Sequence, residues 1–145
     1  MKIAVINGPN LNMLGIREPG VYGNESLTSL INSLKTQYPQ LEIYDCQSNN
    51  EGELITAIQK LGMDCDGVVI NPGGYSHTSV AIRDAISSVT APVIEVHITN
   101  IHSREEFRHN TVTGGACIAV ISGLGFRGYS VAIDYLILYP SVISS

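Results

Sequence analysis

The chain is predicted to adopt an α/β fold in which helices cover both faces of a five-stranded parallel sheet. Three features of the 145-residue sequence carry that prediction. Five short β-branched runs recur along the chain, helix-period segments separate them, and the apolar stretches in the strands are continuous rather than alternating. Strands joined through helices pair in parallel, and a strand without a polar alternate has no face to show water.

The strands are expected at KIAVIN (2–7), LEIYDC (41–46), GVVINP (67–72), PVIEVH (92–97) and CIAVIS (117–122). SLTSLINSLKTQY joins the first two and sets Leu27, Leu30, Ile31, Leu34 and Tyr38 on one helical face. NNEGELITAIQKLG follows, with Asn50 and Glu53 as a capping box and Gly62 as a C-terminal stop. TSVAIRDAISSV comes after the third strand, and YSVAIDYLILY after the fifth. SREEF reads as a one-turn helix with a second box at Ser103 and Glu106. Together these elements describe a flavodoxin-like three-layer sandwich occupying residues 1–145 as a single domain.

The formal net charge of −5, with eight Lys and Arg residues, lacks the clustered cations of a nucleic-acid or anionic-membrane surface. No apolar stretch approaches the ~18 residues of a membrane helix. The opening MKIAVINGP is too short in apolar residues for a signal-peptide core, so a cytoplasmic location is expected. Cys46, Cys65 and Cys117 have no CxxC spacing and read as reduced thiols. Of the tyrosines, Tyr38, Tyr44, Tyr129, Tyr135 and Tyr139 lie on helix or strand patterns and are expected to pack, whereas Tyr22 and Tyr75 fall in loops.

Several chemistries are disfavoured. Gly123 to Gly128 spell G-x-G-x-x-G, but the chain lacks the strand and acidic residue that a dinucleotide site requires after it, so close packing of the last strand and helix is expected. His97 and His102 stand apart from any Cys–His cluster or HExxH, and no metal site is expected. Lys2, Lys35 and Lys60 read as solvated, which disfavours an imine mechanism, and no G-x-S-x-G elbow offers a nucleophile.

In open α/β sheets, ligands bind beyond the carboxyl ends of the strands. The polar and titratable residues gather there: Asn10, Arg17 and Tyr22 in the first loop, Asn71 and His77 in the third, His97, Thr99 and His102 in the fourth. A loop tyrosine acts as a base near neutral pH only if its pKa falls by roughly 3 units, about 4 kcal/mol. A guanidinium ~4 Å away at an effective dielectric of ~20 supplies about that amount. Arg17 is five residues from Tyr22, and Arg108 is a second cation if its loop folds over the site. His97 is either the matching acid or a structural histidine, and Glu95 is either its buried orienting partner or a polar strand-end residue. Asn10, Asn71 and His77 offer neutral hydrogen bonds to hydroxyls or an enolate, and backbone N–H groups around Ile98 and Thr99 suit a carboxylate. Gly15, Gly20 and Gly23 flank Arg17 and Tyr22 with Pro19 between, a pattern that predicts a catalytic lid.

Three stretches in order, NGPNLNMLGIREPGVYG, INPGGYSHTSVAIRDAI and PVIEVHITNIHSREEFRHNTV, resemble type II 3-dehydroquinate dehydratase over essentially the full chain. The resemblance implies a cofactor-free lyase that converts 3-dehydroquinate to 3-dehydroshikimate through an enolate, in the shikimate pathway or in quinate breakdown. It implies a cytoplasmic homododecamer, a tetramer of trimers. By position, Tyr22 matches the family's proton acceptor, Arg17 the arginine that activates it, His97 the proton donor, and Asn10 the residue holding the enolate oxygen through water. Asn71, His77 and Arg108 match substrate contacts, Ile98 and Thr99 the backbone pair for the carboxylate, and Asp84 a residue reaching a neighbouring subunit's site. Gly74 and Ser76 stand where alanine and threonine often occur, and HNTVTGGACI departs from several relatives after Arg108.

Overall fold

A computed structural model of the chain describes residues 1–16, 20 and 25–143, with side chains to residue 140. Five strands form one sheet: β1 (Lys2–Asn7), β2 (Glu42–Gln47), β3 (Gly67–Asn71), β4 (Val93–His97) and β5 (Ala119–Ser122). Every pairing is parallel, in the order β2-β1-β3-β4-β5. Among the described residues, four longer helices accompany them: α1 (Leu27–Gln37), α2 (Glu51–Asp64), α3 (Val80–Ser88) and α4 (Arg127–Ile143). This is the flavodoxin-like arrangement expected from the alternating pattern, and each strand lies within two residues of its predicted start.

The alternation of side chains along β1 divides the core into two layers. Ile3 and Val5 pack with Leu30, Ile31 and Leu34 of α1 and with Tyr129, Ile133 and Leu136 of α4. Ala4 and Ile6 face the other way, onto Leu54 and Ile58 of α2 and Ile82 and Ile86 of α3. The helices therefore cover opposite faces in pairs. β3 and β4 are buried throughout, as a doubly covered strand requires. The edges differ from the expectation: Tyr44 on β2 and Val120 on β5 are exposed, because an edge strand has no neighbour beyond it to extend the helical cover. Tyr135 is also exposed on α4, while Tyr38 and Tyr129 pack as predicted.

Some local expectations gave way to tertiary packing. Gly62 does not end α2, which continues to Asp64; a Cβ there would lie 2.6 Å from Val89, so the glycine admits the chain leaving α3. The Asn50 side chain accepts the Glu53 N–H, but Glu53 bonds the Ser48 hydroxyl at 2.6 Å instead of returning to Asn50. SREEF forms no capped helix. Ser103 closes one 3-10 turn by donating to the Asn100 carbonyl, and Glu106–Arg108 forms another without a side-chain cap. The G-x-G-x-x-G run packs as expected, with a Cβ on Gly128 only 3.1 Å from Val96. Gly123, at φ 91, adopts the left-handed turn between β5 and α4 that other residues avoid. α4 runs through Pro140, which has no N–H to give to the helix ladder.

Ile58 is fully buried between α2 and the sheet. Replacing it with alanine is expected to lower unfolding free energy by about 2–5 kcal/mol, read from the denaturant midpoint at unchanged slope.

Candidate active site

The order of the strands reverses at β1, with β2 on one side and β3 on the other, so the crevice of this sheet opens at the carboxyl ends of β1 and β3. Register sets Asn7 directly opposite Asn71 there. Just beyond, the Gly8 N–H donates to the Asn71 carbonyl at 2.7 Å. A Cβ on Gly8 would stand 2.4 Å from the Pro72 carbonyl oxygen, so only glycine lets the two loops cross this closely. Asn10 follows in a left-handed conformation, φ 71, with its N–H held by the Asn49 side chain at 3.0 Å. Asparagine tolerates that conformation better than most residues, and the turn brings Asn10 into the wall of the cleft.

The resulting cavity has a volume of about 120 Å³, a size suited to a small molecule. Asn10, Asn71, His77, His97, Ile98, Thr99 and Arg108 all line it, joined by Arg104 and an apolar wall that includes Leu11, Met13, Leu14 and Ile101. Seven of the ten predicted site residues thus converge. Asp84 lies outside, exposed on α3. Arg17, Tyr22 and most of the expected lid fall outside the described residues.

His97 ends β4, and its ring is set by a neighbour two residues earlier. Nε2 lies 2.9 Å from Oε2 of Glu95, which is fully buried, and Oε1 of the same carboxylate accepts the Thr113 hydroxyl. Glu95 is therefore the orienting partner. A carboxylate only accepts, so Nε2 carries the hydrogen and Nδ1 is the ring nitrogen that Glu95 leaves unengaged. His77 is fixed with the opposite tautomer. Its Nδ1 donates to the Asn110 carbonyl at 2.8 Å, and its ring stacks on His97 with centroids 6.1 Å apart. The two histidines lining the cleft are thus tied back through different nitrogens, which leaves Nδ1 of His97 and Nε2 of His77 outside these contacts.

The carbonyl of Ile98 accepts the Gly125 N–H at 2.9 Å. Across a trans peptide the next N–H points the opposite way, so that of Thr99 turns from the β5 loop. Arg108 spans the outer rim, with Nε on Glu105 at 2.6 Å and its guanidinium 5.0 Å from the Phe107 ring centroid. That guanidinium holds the exposed Glu105 carboxyl below the usual carboxylate range. The cleft is cationic at its rim and lined by amide and imidazole hydrogen-bonding groups at its floor, a distribution suited to a small anion bearing hydroxyls.

Arg104 and Thr113 escaped the sequence reading. Arg104 lay within a segment taken for a helical turn, and Thr113 acts across 18 residues on Glu95, a separation no local pattern reports. Cys117, near the same loop, is pushed up to about 12 by burial and by the Glu95 carboxylate, which keeps it a thiol. Among the described residues, no group of three or more His, Cys, Asp or Glu side chains is placed to hold a metal ion, and no helix is long and apolar enough to cross a membrane.

Comparison with known proteins gives a consistent result. The family model described as Dehydroquinase class II matches residues 1–137. The 3-dehydroquinate dehydratase of an Exiguobacterium species is 51% identical over 138 residues, covering 94% of each chain. That of Lachnoclostridium phytofermentans is 53% identical over 140 residues, covering 94% of this chain and 97% of the relative. The crystal structure of type II dehydroquinase from Butyrivibrio crossotus superposes with a TM-score of 0.92 at 51% identity, covering 94% of this chain and 97% of that one.

Thr113→Val, nearly isosteric, would leave one oxygen of a buried carboxylate without its donor. It is expected to destabilise the fold by about 1–3 kcal/mol in denaturant titration, whereas an exposed Thr→Val change stays within about 0.5 kcal/mol.

Proposed function

The chain belongs to the dehydroquinase class II family, and we propose that it is a hydro-lyase that removes water from 3-dehydroquinate to give 3-dehydroshikimate. The observation that carries this reading is the cleft itself, which gathers an oriented His97, neutral amide and imidazole donors and a guanidinium rim at the strand-order switch.

Tyr22, as phenolate, takes the proton next to the substrate's ketone, with Arg17 lowering its pKa and stabilising the developing charge. The electron pair moves onto the ketone oxygen, and Asn10, through water, holds the enolate. The enolate then collapses: its electrons form the new carbon–carbon double bond, the hydroxyl leaves, and His97 gives it a proton so that water departs. The Glu95 carboxylate supports a positively charged His97, and Nδ1 is the nitrogen that delivers the proton. Asn71, His77 and Arg108 hold substrate oxygens, and the backbone at Ile98 and Thr99 receives the carboxylate. Base, oxyanion partner and acid are all protein groups, so this scheme calls for no cofactor.

Residues 1–145 act as a single catalytic domain in this reading, in the cytoplasm, within the shikimate route to aromatic amino acids or in quinate breakdown. The assembly is a homododecamer, a tetramer of trimers. Asp84 completes a neighbour's site, a role that its exposed place on α3, outside its own cleft, leaves open to it.

Product formation is followed by the ultraviolet absorbance of the conjugated enone. Tyr22→Phe and His97→Ala are each expected to lower kcat by about 10²–10⁴-fold, and near-wild-type turnover by either would remove that residue from its role. Borohydride added with substrate should leave activity intact, since covalent inactivation would indicate an imine and refute the enolate scheme. Light scattering is expected to find twelve 15.6 kDa chains per particle; a monomer would refute the shared-site role of Asp84.

A further inference from the structure

Beneath the cleft, four groups form a hydrogen-bond chain whose direction can be derived from one end. The Gly73 backbone N–H can only donate, and it lies 3.1 Å from the side-chain oxygen of Asn71. That contact fixes which end of the Asn71 amide is oxygen, so Nδ2 faces Tyr129, 3.1 Å from its hydroxyl. An amide nitrogen only donates. The Tyr129 oxygen must therefore accept, and its own hydrogen goes to Oδ1 of Asn7 at 2.6 Å. The chain runs Gly73 to Asn71 to Tyr129 to Asn7, each link donating in the same sense, which strengthens every bond in it.

All three side chains are buried: Tyr129 is 0% exposed, Asn7 1% and Asn71 4%. Burial raises the Tyr129 pKa well above the ordinary phenol value, so the proton stays on across the working range. Asn71 nevertheless lines the cavity. With Oδ1 engaged by Gly73 and one Nδ2 hydrogen engaged by Tyr129, one N–H remains for a ligand.

We infer that Tyr129 is a positioning residue, holding Asn71 so that its remaining Nδ2 N–H is presented to a hydrogen-bond-accepting oxygen of the substrate. This inference rests on the proposed dehydratase reading of the cleft. Without the phenol oxygen, Nδ2 loses its anchor, and only the Gly73 contact at Oδ1 is left to hold the amide toward the ligand. Tyr129 sits on α4, more than fifty residues beyond the loop it serves, in a segment whose tyrosines read as packing.

The test is a double-mutant cycle on the full-length enzyme with 3-dehydroquinate as substrate. Tyr129→Phe keeps the ring and removes the hydroxyl. It is expected to raise KM about five- to tenfold, the worth of one hydrogen bond, with kcat within about twofold, because the contact serves ground and transition states alike. In an Asn71→Ala background, the same change should have no further effect on KM. A purely structural role would instead add its effect in both backgrounds. An unchanged KM in Tyr129→Phe, or additivity in the cycle, would overturn the inference while leaving the dehydratase reading intact. A wild-type chain that forms no enone would overturn both. If Tyr129→Phe does not fold, Asn7→Ser puts the acceptor out of reach of the phenol hydrogen, so the hydroxyl is no longer oriented toward Asn71; because the phenol oxygen remains, a smaller KM rise of about two- to fivefold is expected, absent in the Asn71→Ala background, and no rise would overturn the inference.

Discussion

The parallel pairing of β1 with β3 is the constraint on which the cleft depends. It sets Asn7 opposite Asn71 and brings the loops that follow into contact, so the Gly8 N–H reaches the Asn71 carbonyl. A slip of one residue in that register would turn Asn71 toward the opposite face of the sheet. It would also separate Asn10, which follows β1, from His77, which follows β3. The apolar side chains of β1 and β3 prevent the slip, because alternate residues are committed to different helix pairs. The site inherits its geometry from the hydrophobic core.

Polar groups at the floor of the cleft are costly to bury, and the fold meets that cost with partners rather than exposure. Asn7, Asn71, Glu95, His97 and Thr113 are all buried, and among the described residues no buried side-chain polar atom lacks a hydrogen bond. An isolated carboxylate at Glu95 would be strongly unfavourable. Its Thr113 and His97 contacts offset the desolvation and leave the imidazole with one orientation. The same groups that must be satisfied for the chain to fold are those that aim functional side chains, so stability and positioning are not separable here.

How much of this was legible depended on the range of the interaction. Strand and helix order followed from apolar periodicity, a local signal, and so did the strand-end location of the site. Asn10, Asn71, His77 and His97 stood out because polar residues at the ends of buried strands have few structural reasons to be there, whereas Arg108 entered only as a cation conditional on its loop folding over the site. Gly62 was misread because a glycine near a helix end suits both a stop and a tight contact, and only the position of Val89 decides between them. The Ser103 and Glu106 pair matched a capping box in spacing, yet the chain there is occupied with two tight turns beside the cleft.

By itself, the sequence determined the class of fold, the covering of the sheet on both faces and the residue types that collect at its carboxyl edge. Periodicity and side-chain chemistry carry that information, and both are local. Tertiary structure decided which nitrogen of each histidine is tied back, which end of the Asn71 amide is offered, and that Thr113 and Tyr129 belong to the site's support. Those outcomes depend on donors and acceptors brought together across 18 and 58 residues of chain, and a hydrogen bond has no direction until both partners are in place.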